Sequence, residues 1–175
     1  MIKNNGTLWA IGDNTYGLLG IGNSVVVNPT IQQIGTATNW VKVAPSVQMT
    51  VALTTNGTIW GWGQTNNYEL GNNLCCADQL TPIQIGIDTN WTDLETSISG
   101  STIALKNNGT LWGWGFNANG NLGVGSSTVT VNVPTQIGTA TNWAKLSSGN
   151  AHILALKNDS TLWSWGGYLV KQAMV

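Results

Sequence analysis

Arginine is absent from this chain, and charge of either sign is scarce. Asp, Glu, Lys and Arg make up 7% of 175 residues, with a net charge of −1, against about 25% in an ordinary globular domain. The lysines are scattered at Lys3, Lys42, Lys106, Lys145, Lys157 and Lys171. Nucleic-acid binding needs clustered cations to neutralise phosphates, so none is expected. No apolar run reaches the roughly 18 residues of a spanning helix, and no membrane insertion is expected. Histidine occurs once, at His152, with no Cys, Asp or Glu spaced as a co-ligand. The reading places His152 in the core or bonded within a turn. Cysteine occurs only as the neighbours Cys75 and Cys76. Disulfide frameworks and metal clips need spaced cysteines, so two free thiols in a loop are expected. The acids form no recurring pair of the glycosidase kind, and no phosphate-binding Gly-x-x-x-x-Gly-Lys loop occurs. Asp78, Asp88, Asp93 and Glu95 crowd one stretch and are the sole grouping a cation would use. No nucleophile, base and oxyanion set can be assembled. The expectation is a non-enzyme with no catalytic residue, no cofactor and no metal.

What the chain does have is a phrase that returns. It reads Asn5-Gly6-Thr7-Leu8-Trp9, Asn56-Gly57-Thr58-Ile59-Trp60, Asn108-Gly109-Thr110-Leu111-Trp112 and Asp159-Ser160-Thr161-Leu162-Trp163. The tryptophans step by 51, 52 and 51 residues, a period that signals a propeller or array. Before the later phrases stand short apolar runs, such as Thr102-Ile103-Ala104-Leu105 and Ile153-Leu154-Ala155-Leu156. Apolar runs on both sides of Asn-Gly predict a β-hairpin with a type I′ turn. At Asp159-Ser160 the glycine is lost, and a longer or strained turn is expected there. Further on come glycines at set places (Gly12, Gly17, Gly20 and Gly22; Gly115, Gly120, Gly123 and Gly125), then a proline opening another strand (Pro29, Pro82, Pro134), then Asn-Trp at 39–40, 90–91 and 142–143. The count is four short strands per repeat, and no segment sustains a helical period. The matching Lys3, Lys106 and Lys157 read as solvated strand ends.

Alternation in Trp60-Gly61-Trp62 and Trp112-Gly113-Trp114 puts both rings on one face and glycine on the other. Packing between blades is the favoured reading, with the flat glycine face admitting the neighbouring blade. A sugar-stacking platform is the rival. Most of the Asn-x-Thr/Ser sequons coincide with hairpin turns, and the turn explains them.

The pattern Trp143, Leu146, Ser147, Gly149, His152, Ala155, Leu156, with Gly115, Asn117, Gly120, Leu122 and Gly123 in the glycine-rich half, resembles the regulator of chromosome condensation repeat. The resemblance runs from about Ile2 to Gly166, and the Asn- and Thr-rich wording is most similar to bacterial members. It implies an all-β propeller of four-stranded antiparallel blades, usually seven. It also implies roles such as exchange factor for a small GTPase, chromatin-binding module, protein inhibitor or bacterial surface protein.

The reading is one propeller segment over 1–167, with repeats at about 2–53, 54–105 and 106–156, a partial repeat at 157–167, and a divergent tail at 168–175. Three full repeats and a terminal strand do not close a ring of four to eight blades. The partial propeller would leave apolar faces wet, so a homo-oligomer, a dimer by preference, is expected to complete it. A fragment of a larger ring is the alternative. The favoured function is a non-enzymatic interaction or structural module with a protein partner. The second repeat departs from the pattern, with Tyr68 for Gly and Asn72 to Asp78 for the glycine-rich loop. Tyr68, Glu69, Leu74 and Asp78 are therefore the candidate contact residues. An Asn-, Thr-, Ser-, Gln- and Gly-rich surface favours an extracellular or cell-surface setting. No secretory leader is expected in Ile2-Lys3-Asn4-Asn5, which already belongs to the first repeat.

Overall fold

The computed structural model describes residues 1–118, 120–126 and 128–167; the tail expected at 168–175 lies outside them. The elements are thirteen β-strands and one 3-10 turn at Thr15–Gly17. The strands are β1 (Trp9–Asp13), β2 (Val27–Gln33), β3 (Trp40–Pro45), β4 (Met49–Thr54), β5 (Ile59–Gly63), β6 (Gln79–Gln84), β7 (Trp91–Thr96), β8 (Ser101–Lys106), β9 (Leu111–Phe116), β10 (Thr130–Gln136), β11 (Trp143–Ser148), β12 (His152–Lys157) and β13 (Leu162–Gly166). They form antiparallel meanders: β1-β2, β3-β4-β5-β6, β7-β8-β9-β10 and β11-β12-β13. Among the described residues two blades are complete, one shows its three inner strands and one its outer pair. The boundaries of the sequence repeat fall inside these sheets. The terminal Leu162–Gly166 strand joins the last sheet beside β12.

Successive sheets stack as blades. β7 packs on β3 and β4, and β11 on β7 and β8, so β3, β7 and β11 form the inner wall of an arc. A meander puts alternate connections on the same edge. One rim therefore carries the long β1–β2, β5–β6 and β9–β10 loops together with the β3–β4, β7–β8 and β11–β12 turns. The other carries the Asn-Gly turns.

The Asn-Gly hairpins differ from the expected type I′ form. No Asn of these turns has positive φ; only Gly6, Gly57 and Gly109 do, at +75°, +72° and +73°. The Gly57 N–H donates to Thr54 O at 3.0 Å and the Thr54 N–H to Thr58 O at 3.1 Å. This is a three-residue loop, a type I turn closed by a left-handed glycine. A Cβ on Gly57 would sit 2.8 Å from the Thr89 carbonyl carbon. The Trp91 N–H donates to Gly57 O at 3.1 Å. The turn thus presses backbone to backbone on the connection to the next blade. Ser160 keeps the same turn length, Ser160 N–H to Lys157 O at 3.0 Å, by taking φ +68° itself.

The rest of the phrase is a hydrogen-bond relay. Asn108 Oδ1 accepts from the Thr110 hydroxyl at 2.7 Å, and Thr110 Oγ1 accepts from Trp112 Nε1 at 2.9 Å. The same Trp-to-Thr bond recurs at Trp9, Trp60 and Trp163. In β4–β5, Thr58 turns to Thr54 instead of Asn56.

Each of the last three sheets collects a trio of tryptophans. Trp91 meets Trp112 and Trp114 edge-on at 6.0 Å for both pairs; Trp40 meets Trp60 and Trp62 at 6.1 and 6.3 Å. The second ring of the pair seats on the preceding blade's glycine: a Cβ on Gly20 would lie 2.9 Å from Trp62 Nε1, and one on Gly71 2.6 Å from Trp114 Cγ. Trp62 Nε1 also donates to Leu18 O at 2.8 Å. The rings therefore pack between blades. The glycine between them does not admit the neighbouring blade. A Cβ on Gly61 would meet Leu70 Cδ2 and Ile85 Cδ1, both at 2.9 Å. Its own blade's loop and closing strand fill that face.

Candidate protein interface

The long-loop rim is built on buried polar braces. Asn117 Nδ2 donates to Ser126 O and Thr128 O at 3.1 and 3.0 Å, while its Oδ1 accepts from the Leu122 N–H at 3.1 Å. Asn14 does the same work in the first loop, donating to Asn23 O at 2.8 Å and accepting from the Leu19 N–H at 2.9 Å. The second loop has Thr65 in that place, gripping both the N–H and the O of Ala77 at 3.1 Å. Each brace satisfies loop backbone that would otherwise be costly to bury.

On these braces the rim presents apolar side chains from the first three sheets: Val25, Val26, Val47, Leu74, Ile98 and Val129, each more than half exposed. Val47 and Ile98 are matching turn tips beside the inner wall. Leu74 and Val129 come from successive long loops. Apolar groups displayed this way mark interaction surfaces.

The four residues expected at the contact do not share one fate. Leu74 and Asp78 are exposed on the second loop, and Tyr68 is half-buried beside them. Tyr68 has φ +58° and Asn73 +59°, where the first loop has Gly17 and Gly22. Left-handed backbone costs a non-glycine residue roughly 1–2 kcal/mol. Glu69 is fully buried, its carboxylate accepting from the Asn67 N–H at 2.8 Å and from Asn67 Nδ2 at 2.9 Å. It holds the loop's base and is not a surface contact. The exposed Val47, Ile98 and Val129 were missed in the sequence because single apolar residues in turns carry no periodic signal.

The cysteines are not free thiols: Cys75 and Cys76 are bonded to each other. Cys76 takes φ +68°, which brings its side chain back toward its neighbour's.

The crowded acids separate. Lys42 on β3 reaches Asp93 and Glu95 on β7, each at 2.7 Å, tying the first complete blade to the second along the inner wall. Burial draws the Lys42 amine down, but hydrogen bonds and charge from both carboxylates outweigh it and hold its pKa above the ordinary lysine value. Asp88 takes Lys106 at 2.8 Å, and Asp78 stands apart on the rim. Among the described residues no three metal-ligating side chains gather.

Lys106 overturns the solvated-end reading. It is 8% exposed, with its ammonium 4.0 Å from the Trp112 ring centroid and 4.6 Å from that of Trp91. Lys157 stands likewise over Trp163 and Trp143, and Lys3 over Trp9 at 3.5 Å. The ring faces of Trp9, Trp91, Trp112, Trp143 and Trp163 carry lysines, and ring edges meet other rings, an arrangement that suits packing better than a sugar platform. His152 is exposed, outside the core, and a Cβ on Gly149 would fall 2.7 Å from its Nε2. It lies over its own turn.

Among the described residues the end sheets are less covered than the middle ones. On the last sheet Leu154 is 36% and Leu162 57% exposed, whereas the matching Val51, Ile103, Ile59 and Leu111 are all at 0%. At the other end Ile11 is 52% exposed where its counterpart Trp62 is at 1%.

Residues 5–53 and 108–156 match the Regulator of chromosome condensation (RCC1) repeat. The chain is 24% identical over 164 residues to Regulator of chromosome condensation of Mus musculus, covering 92% of this chain and 39% of that protein. Among solved structures it resembles human WBSCR16, with TM-score 0.81, 20% identity, and 94% of this chain against 44% of that one. It also resembles yeast RCC1 (Prp20) in a structure with Kap60 bound, with TM-score 0.80, 24% identity, and 94% against 39%. A third match is Prp20p of Saccharomyces cerevisiae, described with its binding to Gsp1p and histones, with TM-score 0.75, 24% identity, and 94% against 40%. These likenesses show a propeller fold. The chain spans about two fifths of the length of these relatives.

Proposed function

Because the chain belongs to the Regulator of chromosome condensation (RCC1) repeat family, we propose that it is a non-enzymatic interaction module whose long-loop rim receives a protein partner. The observation that carries this is the display of Val47, Leu74, Ile98 and Val129 by successive blades on one rim. Tyr68 and Asp78 flank Leu74 and complete the proposed contact; Glu69 supports it from below. Solved relatives on this fold bind Kap60, Gsp1p and histones, which makes a protein the natural class of partner.

The test is binding of purified histones and of Gsp1p to the chain by surface plasmon resonance. Leu74→Asp with Ile98→Asp is expected to weaken the binding about tenfold or more, as loss of two apolar contacts implies. Ile87→Asp, on the opposite rim at 92% exposure, should leave it unchanged. Equal effects of the two substitutions, or no binding of either protein, would count against the rim.

A second part of the proposal is self-assembly. The bare Leu154, Leu162 and Trp163 at one end and Ile11 at the other support two copies meeting as a dimer. Sedimentation equilibrium at micromolar concentration is expected to give twice the chain mass of 18.5 kDa; a single species at the monomer mass removes this part.

A further inference from the structure

We infer that the Cys75–Cys76 bond is a thiol-exchange site, and that in its oxidised form it is the brace of the second long loop, opened by a dithiol reductant. This holds for the loop itself, whatever the rim binds. Counted from Gly20, Gly71 and Gly123, Leu74 matches Asn23 and Ser126, and Cys76 matches Val25 and Thr128. In the first and third loops this stretch is held by a buried asparagine. Asn14 Nδ2 donates to Asn23 O, and Asn117 Nδ2 donates to Ser126 O and Thr128 O. The second loop has the shorter Thr65 in that place. Its hydroxyl bonds Ala77, one residue beyond Cys76, and the carbonyls of Leu74 and Cys76 lack the hold their counterparts have.

The disulfide closes this gap. The Asn73 N–H donates to Asn132 O on the next blade at 3.1 Å, and Ala77 is tied to Thr65, so 74–76 is a three-residue span between two fixed points. Within it the Leu74 N–H donates to Asn72 Oδ1 at 3.1 Å. Among the described residues no hydrogen bond is made by the backbone of Cys75 or Cys76. What fixes these two is the bond between their sulfurs. Cys76 stands at φ +68°, a region that residues other than glycine seldom adopt. Opening the bond therefore releases backbone as well as side chains, and Leu74 with them.

Exposure admits the reductant: Cys76 is exposed and Cys75 half-buried. A thiolate of the dithiol attacks the Cys76 sulfur, the bond between the cysteines breaks, and Cys75 leaves as a thiolate and takes up a proton. The reductant's second thiol loses its proton and attacks the reductant's own sulfur in the mixed disulfide. Cys76 is released and protonated in turn. Two electrons and two protons pass to the chain, and the dithiol leaves as its own disulfide.

The test compares the two states of the folded chain by intact mass and by amide NMR relaxation. After oxidised glutathione the chain is expected to take up neither iodoacetamide nor glutathione. After dithiothreitol it is expected to take up iodoacetamide at both cysteines. Order parameters at Leu74, Cys75 and Cys76 should fall on reduction from about 0.85 to below about 0.6, while those of Asn23 and Ser126, braced by asparagine, stay as they were. The double variant Cys75→Ser with Cys76→Ser should show the low values with or without reductant. A glutathione adduct in place of the internal bond, a bond that dithiothreitol leaves closed in the folded chain, or unchanged order over 74–76 on reduction would each overturn the inference. So would a double variant as ordered as the oxidised chain, or loosening of Asn23 and Ser126 to the same degree.

Discussion

Replacing Gly71 by alanine tests the interlock between blades at its narrowest point. Gly71 has φ +63°, and an added Cβ would lie 2.6 Å from Trp114 Cγ and 2.8 Å from Nε1. Trp114 is completely buried and held edge-on by Trp91 at 6.0 Å, so its ring has little room to withdraw. Two costs add: roughly 1–2 kcal/mol for a left-handed alanine, and roughly 1–3 kcal/mol for overpacking. Gly86 supplies the internal control. Its φ is +67°, and an added Cβ would meet nothing within 4 Å, so Gly86→Ala carries the backbone cost alone. The difference between the variants isolates the contact with Trp114. It should amount to about 1–3 kcal/mol, or about 3–10 °C in melting temperature for a chain of this length. Thermal melts followed by tryptophan emission would measure it. If the two variants melt within about 1 °C of each other, the second tryptophan is not seated on the glycine. The account of why Gly-x-Leu-Gly accompanies Trp-Gly-Trp would then fail.

Three further outcomes follow from the same contacts. Thr110→Val keeps the shape but removes the acceptor for Trp112 Nε1 and the donor to Asn108; denaturant titration should show a loss of about 1–2 kcal/mol, and the Trp112 indole proton should exchange faster. Because the Lys42 pKa is raised, its pairing with Asp93 and Glu95 contributes fully below the ordinary lysine value of 10.5 and is lost as pH rises through the folded value. Stability should therefore fall on the alkaline side, and Lys42→Met should flatten that part of the profile. Asp159 accepts from the hydroxyl and the N–H of Thr161, which hold its carboxyl below 3.8; carbon-detected NMR titration should find it low in the native chain and part of the way back toward the ordinary value in Thr161→Ala, which loses the hydroxyl but keeps the N–H.

The repeat made the fold legible because a blade is a local object. Its hairpins, its Trp-Gly-Trp strand and its proline-led outer strand all lie within about 50 residues of each other, and period and turn chemistry announce them. The phase of the sheets was not legible. A cyclic pattern can be cut anywhere, and what cuts it is which strands meet at the inner wall. That is decided by β3, β7 and β11 packing across blades, through pairs such as Lys42 and Asp93 that stand 51 residues apart. The setting of Lys106 was hidden by pairing rather than by distance. Alone it reads as a polar residue before a turn, but Asp88 and the ring of Trp91 come to it from the preceding connection and the ring of Trp112 from across its own hairpin.

The glycine between the tryptophans shows most clearly why alternation gives a face but not its occupant. The period-two pattern puts Gly61 opposite the rings without saying what lies beyond it. The structure puts Leu70 and Ile85 there, residues of the same blade. The two sheets with fewer than four described strands differ here. At the matching position the first sheet has Ala10 and the last has Ser164, and neither sheet has all four strands. Where the blade is whole, no Cβ is tolerated against the buried Leu and Ile. On the last sheet Ser164 stands there and Leu154 and Leu162 remain exposed to water; on the first, Ala10 stands on a face whose Leu8, Leu19 and Ile34 are buried. The glycine is thus absent from both sheets that show fewer than four strands among the described residues. Restoring it by Ala10→Gly should leave stability within about 1 kcal/mol, whereas Gly61→Ala should cost roughly 1–3 kcal/mol in the same urea titration. Equal costs at the two sites would show that the glycine answers to the strand and not to what packs upon it.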